Sequence, residues 1–448
     1  MNRMTIHVCG VGGVGMSALA EAYHRAGHAV SGSDRMLDDG RLSPTLERLK
    51  RLGVALTAQD GRAVTSKLDA LVVSTAIEED NPEIIAARNA RIPVLHRAHA
   101  LADLVADCRV IAISGTSGKT TVTGMIGYLL TELGLDPKVV NGGLVSEWIH
   151  PAATGSVYWG SGDLCVIEVD ESDKSLLAFH PELSVLTTVS ADHYELAETK
   201  ALFKAFASQS GRLLAMPAAA RVMGLPVPTI PASPIRDEWG WGLAAGDGRL
   251  VHLRMPGAHN VQNALAALAV CYALELSIPD AVQALTRFRG IHRRLELAGI
   301  AGGIRVYDDY AHNPEKIAAS WQAAREGCSR VLGYWRPHGY GPLNSLFDAL
   351  CDTFSTLLTG GDHLYVLPVF FAGGTVNRLR EAPEFVAALQ ARGVPATYVD
   401  SYRILEQHLC ATALPGDTLL GMGARDPELP EFATHLVNAL NMDRPPIP

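Results

Sequence analysis

The sequence predicts an α/β protein of three domains, each built around a mainly parallel sheet. Its 448 residues are too many for one compact core, since domains of about 150 residues are typical. Short β-branched segments alternate with helical stretches, which is the pattern of a parallel sheet covered by helices. The alternation starts three times, so we expect domains over residues 1–105, 106–296 and 297–448.

The individual elements follow from the same alternation. Strands are predicted at residues 5–9, 29–31 and 71–74, then at 110–114, 165–169 and 185–189, and finally at 304–307, 331–334, 364–367 and 418–420. Helices are predicted near 101–105 and 261–274. The Pro- and Ala-rich stretch 216–235 is predicted to be a loop, and the Pro-rich end after Asp443 a frayed tail.

Composition and charge argue against several classes of protein. A hydrophobic content of 48% with 19% charged residues is ordinary for a folded globular chain. The net charge of −9 provides no basic surface for nucleic acid. No segment approaches the roughly 20 apolar residues of a membrane span, and the chain enters its first strand without a signal peptide. We therefore expect a cytoplasmic protein whose partners are neither nucleic acids nor membranes.

The cysteines indicate a reduced protein. Their number is odd, they are far apart in the sequence, and no two form a C-x-x-C pair, which argues against a disulfide framework and against a zinc site. The seven positions are Cys9, Cys108, Cys165, Cys271, Cys328, Cys351 and Cys410. We expect most of them to be small buried apolar residues.

A glycine-rich segment follows the first predicted strand and precedes a helix. It reads Gly10-Val11-Gly12-Gly13-Val14-Gly15, and Asp34 follows Gly15 by 19 residues. This is the fingerprint of a Rossmann-like dinucleotide site, where backbone N–H groups at a helix N-terminus bind a diphosphate. Alone it would suggest an NAD-dependent oxidoreductase, but a UDP-sugar carries a diphosphate too. A tight strand–helix turn without a ligand is the structural alternative. The predicted ligand-binding residues are Gly12, Gly13, Val14, Gly15 and Asp34.

A second loop at residues 114–121, Ser-Gly-Thr-Ser-Gly-Lys-Thr-Thr, lies between a predicted strand and a helix beginning near Thr121. It is typical of a phosphate loop, in which the Lys119 ammonium neutralises the β- and γ-phosphates and the Thr120 hydroxyl contacts Mg²⁺. The common pattern has a further glycine, where this chain has Ile113. A chance turn is the alternative. The predicted ATP-binding residues are Gly115, Thr116, Ser117, Gly118, Lys119, Thr120 and Thr121.

Acidic residues follow the next buried strand. They are Glu168, Asp170, Glu171 and Asp173. The carboxyl ends of parallel strands meet at one edge of a sheet, so these side chains are expected beside the phosphate loop, where a Mg²⁺ shared with ATP needs hard oxygen ligands. His193 follows another strand aimed at the same edge. A solvated acidic loop is the alternative reading.

Together these segments resemble the Mur ligases, and the resemblance covers nearly the whole chain. Further motifs in the same order carry it, namely Ser31-Gly32-Ser33-Asp34, Ser74-Thr75-Ala76-Ile77, Asp80-Asn81-Pro82-Glu83, Pro93-Val94-Leu95-His96-Arg97, Gly257-Ala258-His259-Asn260, Arg293-Arg294-Leu295-Glu296 and Asp308-Asp309-Tyr310-Ala311-His312. The resemblance implies a Rossmann-like UDP-sugar domain, a central phosphate-loop ATPase domain, and a C-terminal Rossmann-like domain that takes the amine substrate and closes over the nucleotide.

The activity implied by this resemblance is ATP-dependent amide-bond formation in peptidoglycan precursor synthesis. The carboxylate of UDP-N-acetylmuramic acid would become an acyl phosphate and react with the amine of an amino acid, L-alanine or another. The resemblance implies catalytic roles for Lys119, Glu168, His193 and Arg294. It implies Mg²⁺ contacts for Thr120, Glu168 and His193, with Glu171 in reserve.

The remaining site residues are also implied by the resemblance. Adenosine would meet His259, Asn260, Asn263 and Asp309, although the amides at this helix start are also ordinary helix caps. Arg294 would reach the phosphates. The predicted substrate contacts outside the glycine-rich segment are Ser74, Thr75, His96, Arg97, His312 and His338.

Three positions depart from the family's pattern. Ser117 replaces a histidine, Arg425 replaces a glycine, and Pro342 replaces the arginine that would pair with the carboxylate of the amino acid. L-Alanine is therefore predicted to be a poor substrate unless Arg336 or Arg425 takes over that role. A ligase for another amino acid or a recycled peptide, a non-catalytic nucleotide-binding relative and an NAD-dependent oxidoreductase stay open as alternatives.

Overall fold

The computed structural model describes residues 3–191, 194–238, 240–371, 378–424 and 426–443. The chain divides into two compact units. The first comprises Met1–Ser233, Ala244–Val251 and Gln262–Ile291, and the second comprises Pro234–Leu243, His252–Val261 and His292–Pro448. The first unit contains two large sheets, and the second unit contains one.

The first sheet has five parallel strands in the order β3-β2-β1-β4-β5. The strands are β1 (Thr5–Cys9), β2 (Ala29–Ser33), β3 (Ala55–Thr57), β4 (Ala70–Val73) and β5 (Val94–His96). The helices are α1 (Val14–Arg25), α2 (Arg35–Asp38), α3 (Pro44–Leu52), α4 (Pro82–Ala90) and α5 (Arg97–Leu104). The strand order reverses direction at β1, and ligands of open α/β sheets bind at such a switch point, beyond the carboxyl ends of the strands.

The second sheet has six strands in the order β11-β10-β6-β9-β7-β8, with β8 antiparallel to its neighbour. The strands are β6 (Arg109–Ser114), β7 (Lys138–Val140), β8 (Val157–Trp159), β9 (Leu164–Glu168), β10 (Leu183–Leu186) and β11 (Arg212–Ala215). The helices that follow in the sequence are α6 (Lys119–Glu132), α7 (Leu196–Gln209), α8 (Pro217–Met223), α9 (Ala258–Ala273) and α10 (Ile278–Leu285). Short 3₁₀ turns occur at Ser146–Trp148 and Ser175–Ala178.

The prediction of one loop over residues 216–235 is correct for 225–231 and wrong at both ends, where a helix and a strand form. Pro217 occupies the first turn of α8, where its missing N–H costs nothing, and Gly224 ends that helix in the left-handed conformation. A three-stranded sheet then begins, in the order β12-β13-β14. Its strands are β12 (Ala232–Asp237), β13 (Gly240–Ala245) and β14 (Leu250–His252). Pro217 therefore marks a helix start and Pro234 lies within β12, whereas Pro226 and Pro228 lie in the irregular segment between these elements.

The third large sheet has six strands in the order β15-β16-β20-β17-β18-β19, with only β15 antiparallel. The strands are β15 (Glu296–Ala301), β16 (Ile304–Asp309), β17 (Val331–Trp335), β18 (His363–Val366), β19 (Ala396–Tyr398) and β20 (Thr418–Met422). The helices are α11 (Pro314–Ala324), α12 (Tyr340–Leu357), α13 (Ala382–Ala391), α14 (Tyr402–Thr412) and α15 (Glu428–Asp443). Trp335, Phe354 and Phe385 pack ring against ring in its core, which fixes α12 and α13 on the sheet.

The structure confirms the predicted fold class, whereas the three domain boundaries stay predictions. One predicted strand, 185–189, ends earlier, at Leu186, because Thr187 and Thr188 leave the sheet to bond to the phosphate loop. The predicted helix at 101–105 is the end of α5. All seven cysteines are free, and residues 444–448 lie outside the described part of the chain.

Among the helices of the described residues, none is long and apolar enough to cross a membrane.

Candidate active site

The phosphate loop connects β6 to α6 in the first unit. Gly115 has a φ of +131° and Gly118 a φ of +87°, values that L side chains rarely adopt. Space forbids a side chain at Gly115 as well, because its Cβ would lie 2.2 Å from Thr187 Oγ1. The Ser117 N–H donates to Thr188 Oγ1 at 2.8 Å, and Thr187 Oγ1 donates to the Ser117 carbonyl at 2.6 Å. Two threonines beyond β10 therefore fix the position of the loop through hydrogen bonds.

Lys119 begins α6, and its ammonium already has two acceptors. Nζ lies 2.7 Å from the Gly115 carbonyl and 2.7 Å from Glu171 Oε2. Burial raises the pKa of the Glu171 carboxyl, while the Lys119 charge acts in the opposite direction. The second oxygen of Glu171 is buried without a hydrogen-bond partner. The lysine is thus positioned over the loop by a carboxylate 52 residues away in the chain.

Glu168 ends β9 beside the first turn of α6. Its Oε1 accepts from the Thr120 hydroxyl at 3.2 Å, and its Oε2 accepts from the Gly142 N–H at 2.8 Å. A Cβ at Gly142 would lie 2.4 Å from Glu168 Oε2, so only glycine allows this approach. The described residues contain no group of three Asp, Glu, His or Cys side chains that could hold a metal ion. Paired hydroxyl and carboxylate oxygens nonetheless suit Mg²⁺, which takes few protein ligands when phosphates supply the rest.

The predicted diphosphate loop lies between β1 and α1. Gly13 is the N-cap of α1 and makes no side-chain capping bond, which leaves the first N–H groups of the helix available to an anion. Asp34 accepts from the Gly12 N–H at 3.0 Å and from the Met36 N–H at 3.0 Å. A Cβ at Gly12 would lie 2.7 Å from the Asp34 carboxylate. Asp34 therefore holds the loop and caps α2 in this structure.

His96 and Arg97 connect this loop to the acidic segment after β9. Arg97 Nη2 lies 3.1 Å from Asp173 Oδ2 and 3.5 Å from Asp170 Oδ2, and the nearest Asp173 oxygen to His96 Nε2 is 3.8 Å away. Burial lowers the pKa of His96, and Asp173 opposes that effect. Arg97 Nη1 would also lie 3.0 Å from a Cβ at Gly15. Arg97 thus contacts both the glycine loop and the carboxylates.

A cavity in the first unit joins these groups. Its lining includes Gly15 of the diphosphate loop, Arg97, and Glu168 and Asp170 after β9. The cavity thus extends from the N-terminal end of α1 to Glu168, which accepts from the Thr120 hydroxyl. Ser74 and Thr75 follow β4 at the same edge of the first sheet, where Ser74 is half-buried and Thr75 is exposed.

The two asparagines at the start of α9, Asn260 and Asn263, contact different parts of the protein. Asn260 donates its side-chain N–H to the Pro256 carbonyl at 2.8 Å, which ties the first turn of α9 to the segment before it. Asn263 packs against the phosphate loop, because a Cβ at Gly118 would lie 2.7 Å from its Oδ1. The predicted contact of His259 with adenosine stays a prediction.

In the second unit, Asp308 and Asp309 end β16 and hold the arginine-rich turn. Arg293 Nε lies 3.0 Å from Asp308 Oδ2, whose pKa burial raises to about 6. Asp309 accepts from the Leu295 N–H at 2.5 Å and the Ala311 N–H at 2.6 Å. Arg294 lies over the Tyr310 ring at 5.4 Å. Both oxygens of Asp309 are thus used within the turn, and its role with adenosine stays a prediction.

Two histidines meet at the carboxyl edge of the third sheet. The His312 and His338 rings lie 4.6 Å apart, and the Nδ1–H of His312 donates to the Tyr310 carbonyl at 2.8 Å. Arg336 pairs with the buried carboxylate of Asp426 at 2.5 Å and lies over the Tyr402 ring. His193 and Arg425 lie outside the described residues.

Sequence patterns do not predict three residues of the first unit that shape the site. Thr187 and Thr188 fall in a predicted strand, and Gly142 carries no recognised motif. A fourth, Glu171, is predicted in the acidic segment, but only as a reserve metal ligand. Their common signal is position, since each lies beyond the carboxyl end of a strand in the second sheet.

The fold and these sites define a class of protein, an ATP-dependent ligase built on three large α/β sheets. Three family models match the chain. They are described as the Mur ligase family catalytic domain at residues 5–109, the Mur ligase middle domain at 113–208, and the Mur ligase glutamate ligase domain at 293–425.

Individual relatives agree with these matches. The chain is 34% identical to a UDP-N-acetylmuramate–L-alanine ligase of Xanthobacter autotrophicus, over 94% of each chain. It is 33% identical to the enzyme of the same name from Agrobacterium fabrum, over 94% of this chain and 93% of that one. The crystal structure of the UDP-N-acetylmuramate-alanine ligase MurC from Thermotoga maritima superposes with a TM-score of 0.80 at 25% identity, covering 99% of this chain and 100% of that chain. The chain belongs to the Mur ligase family.

Proposed function

We propose that this protein joins the carboxylate of UDP-N-acetylmuramic acid to the amino group of L-alanine at the expense of ATP, in peptidoglycan precursor synthesis. The observation that carries the proposal is the cavity that runs from Gly15 of the predicted diphosphate loop through Arg97 to Glu168. Glu168 in turn accepts from the Thr120 hydroxyl at the end of the predicted phosphate loop. In a UDP-sugar that bears a carboxylate, the diphosphate and the reacting carboxylate lie at opposite ends of the sugar, which matches the two ends of this cavity. The relatives at 33–34% identity bear the name of this activity.

The reaction requires two anions to meet, and the site offers cations and N–H groups where they would do so. A carboxylate oxygen attacks the γ-phosphorus of ATP, ADP leaves, and an acyl phosphate forms. The amine then attacks the acyl carbon, inorganic phosphate leaves, and the amine loses a proton. Lys119 and the amides of the phosphate loop stabilise the transferring charge, and binding both substrates in fixed positions supplies most of the remaining catalysis. No side chain is needed as a covalent nucleophile.

Mg²⁺ is part of the proposal. Thr120 and Glu168 would hold it, together with His193, and it would supply charge neutralisation between the phosphates and the carboxylate. The Glu168 carboxylate is already oriented by the Gly142 N–H, so it does not need to reorganise to meet a cation. We propose the cytoplasm as the place of action, where ATP is available.

The proposal is tested by measuring phosphate release with ATP, Mg²⁺ and UDP-N-acetylmuramic acid against a panel of amines. The panel holds L-alanine, glycine, L-serine and a muropeptide-type tripeptide. We expect release only when the UDP-sugar and an amine are both present, with L-alanine the best amine. A preference for the tripeptide would indicate a recycling ligase, and nucleotide binding without release for any amine would indicate a non-catalytic relative.

A further inference from the structure

The carboxylate of the amino acid substrate needs a cationic partner. In the family's pattern this partner is an arginine, and this chain has Pro342 at that position. A free carboxylate is best oriented by a guanidinium, which offers two parallel N–H donors. Pro342 lies in the first turn of α12 and offers none. The inference drawn here rests on the proposed function, since it concerns the amine substrate of that reaction.

Most arginines near this helix in the second unit are already neutralised. Arg336 pairs with the buried Asp426, and Arg293 pairs with Asp308. Arg380 pairs with Glu384 one helical turn away. Using Arg336 or Arg293 for a substrate would leave a buried carboxylate unpaired, which is costly. Arg380 would have to give up its exposed partner Glu384.

Arg378 differs from them. Its guanidinium lies 4.9 Å from the centre of the Tyr340 ring and 4.8 Å from that of Phe371, and the residue is exposed. The two rings are themselves 6.0 Å apart. Within the part of the chain that the structure describes, no carboxylate pairs with Arg378. Stacking on ring faces restrains a guanidinium while leaving its N–H edge open to an anion.

The position of this cluster suits the reaction. Tyr340 follows His338 by two residues, and the His338 ring packs on His312, so the cluster adjoins the histidine pair along the chain. The Phe370 N–H donates to the Pro337 carbonyl at 2.8 Å, which ties the segment before Phe371 to the loop after β17. Both loops leave the carboxyl edge of the third sheet, the edge at which α/β proteins bind their ligands.

We propose that Arg378, held between Tyr340 and Phe371, binds the α-carboxylate of the incoming amino acid and replaces the arginine missing at Pro342. Arg378 is then a specificity-determining residue. It selects substrates that carry a carboxylate beside the reacting amine, and L-alanine is a good substrate despite Pro342.

The test compares L-alanine with L-alaninamide, which keeps the amine and methyl group and loses the negative charge. We expect wild-type protein to prefer L-alanine in kcat/KM by about 30-fold or more, the order expected when one partner of a desolvated charge pair is removed. Arg378→Ala should lower kcat/KM for L-alanine by a similar factor, mainly through KM, and leave L-alaninamide nearly unchanged. Arg378→Lys should recover part of the preference, since it restores charge without the fork.

The matched control is Arg380→Ala, an exposed arginine two residues along that lies over the Phe347 ring. It should keep the wild-type preference. The KM values for ATP and UDP-N-acetylmuramic acid should not change in Arg378→Ala. An active Arg378→Ala that still prefers L-alanine as strongly as wild type would overturn the assignment while leaving the ligase activity in place. Absence of ligation by wild-type protein with every amine would instead remove the proposed function and this inference together.

Discussion

Lys119 is held by two acceptors in the structure, and phosphates of ATP would compete for the same ammonium. The Gly115 carbonyl and Glu171 each lie 2.7 Å from Nζ, and the side chain is only 14% exposed. The Glu171 carboxylate thus aligns the Lys119 ammonium before nucleotide binds. The contribution that we propose for Lys119 is electrostatic, because a lysine at a phosphate loop stabilises charge that moves during phosphoryl transfer.

We expect Lys119→Ala to abolish phosphate release while the protein stays folded. The ammonium contributes no apolar packing to the core, and Glu171, whose pKa burial already raises, can take up a proton when its partner is lost. The main loss is therefore the charge that faces the transferring phosphoryl group. Turnover is measured by phosphate release and folding by circular dichroism. Wild-type turnover in the variant would remove the phosphate loop from the mechanism.

Glu168→Gln should raise the Mg²⁺ concentration needed for half-maximal activity. The glutamine oxygen can still accept from the Gly142 N–H, and its NH2 group can donate to the Thr120 hydroxyl oxygen, but the negative charge that a hard cation prefers is lost. His193→Ala, at a position outside the described residues, is expected to act in the same direction. The measurement is a Mg²⁺ titration of phosphate release at fixed ATP.

Glu182→Gln is the matched control for that titration, since Glu182 pairs with Arg109 on the surface at 2.7 Å. Its titration should match wild type. Superimposable curves for Glu168→Gln and wild type would mean that the metal lies elsewhere, and Glu171 would be the next candidate.

At the scale of elements, a buried carboxylate ties α1 to the segment before β8 in the first unit. Glu21 is fully buried and accepts from the Thr154 N–H at 2.8 Å and from its hydroxyl at 2.6 Å. Arg25 Nε donates to its other oxygen at 2.7 Å. This one side chain therefore links the helix of the diphosphate loop to the second sheet, across 133 residues of sequence.

Glu21→Ala should destabilise the first unit by about 3 kcal/mol, because two donors of Thr154 and the Arg25 charge lose their acceptor. Glu47→Ala is the control, since Glu47 forms an exposed pair with Arg51 that is worth about 0.5 kcal/mol or less. Urea unfolding followed by tryptophan fluorescence measures both. Equal midpoints for the two variants would contradict the assigned role of Glu21.

At the scale of the whole molecule, none of the seven cysteines forms a disulfide. Most of them serve as small apolar residues in the interior. Cys9, Cys165, Cys271 and Cys351 are buried. The interaction of Cys108 with the Cys165 thiol lowers the pKa of the Cys108 thiol. Stability must therefore come from the sheets, helices and buried pairs of each unit.

Alkylation with iodoacetamide in guanidinium chloride, without reductant, should add seven carbamidomethyl groups to freshly purified protein. The reason is that all seven cysteines are free thiols in the structure. Intact-mass spectrometry counts the adducts, and a reduced sample treated in the same way is the control. A wild-type count of five that rises to seven after reduction would reveal a disulfide, with Cys108 and Cys165 as the first pair to examine.

The sequence by itself determined the three α/β sheets, both glycine-rich loops and the position of Glu168 at a strand end. These features depend on residues that are close together in the chain, such as a strand followed at once by Gly115 and Lys119, so local patterns are sufficient to predict them. Part of stretch 216–235 was mispredicted because prolines at helix starts resemble prolines in loops.

Only the tertiary structure decided which distant groups hold those loops in place. Three hydrogen bonds show this, and each joins residues 52 to 76 positions apart in the chain. They connect Lys119 to Glu171, Ser117 to Thr188, and Arg97 to Asp173. Strand order and register bring these residues together. The same holds for Arg378, which local sequence placed in no motif and which the fold stacks on Tyr340 and Phe371. Such contacts follow from packing of whole elements, and no local pattern encodes them.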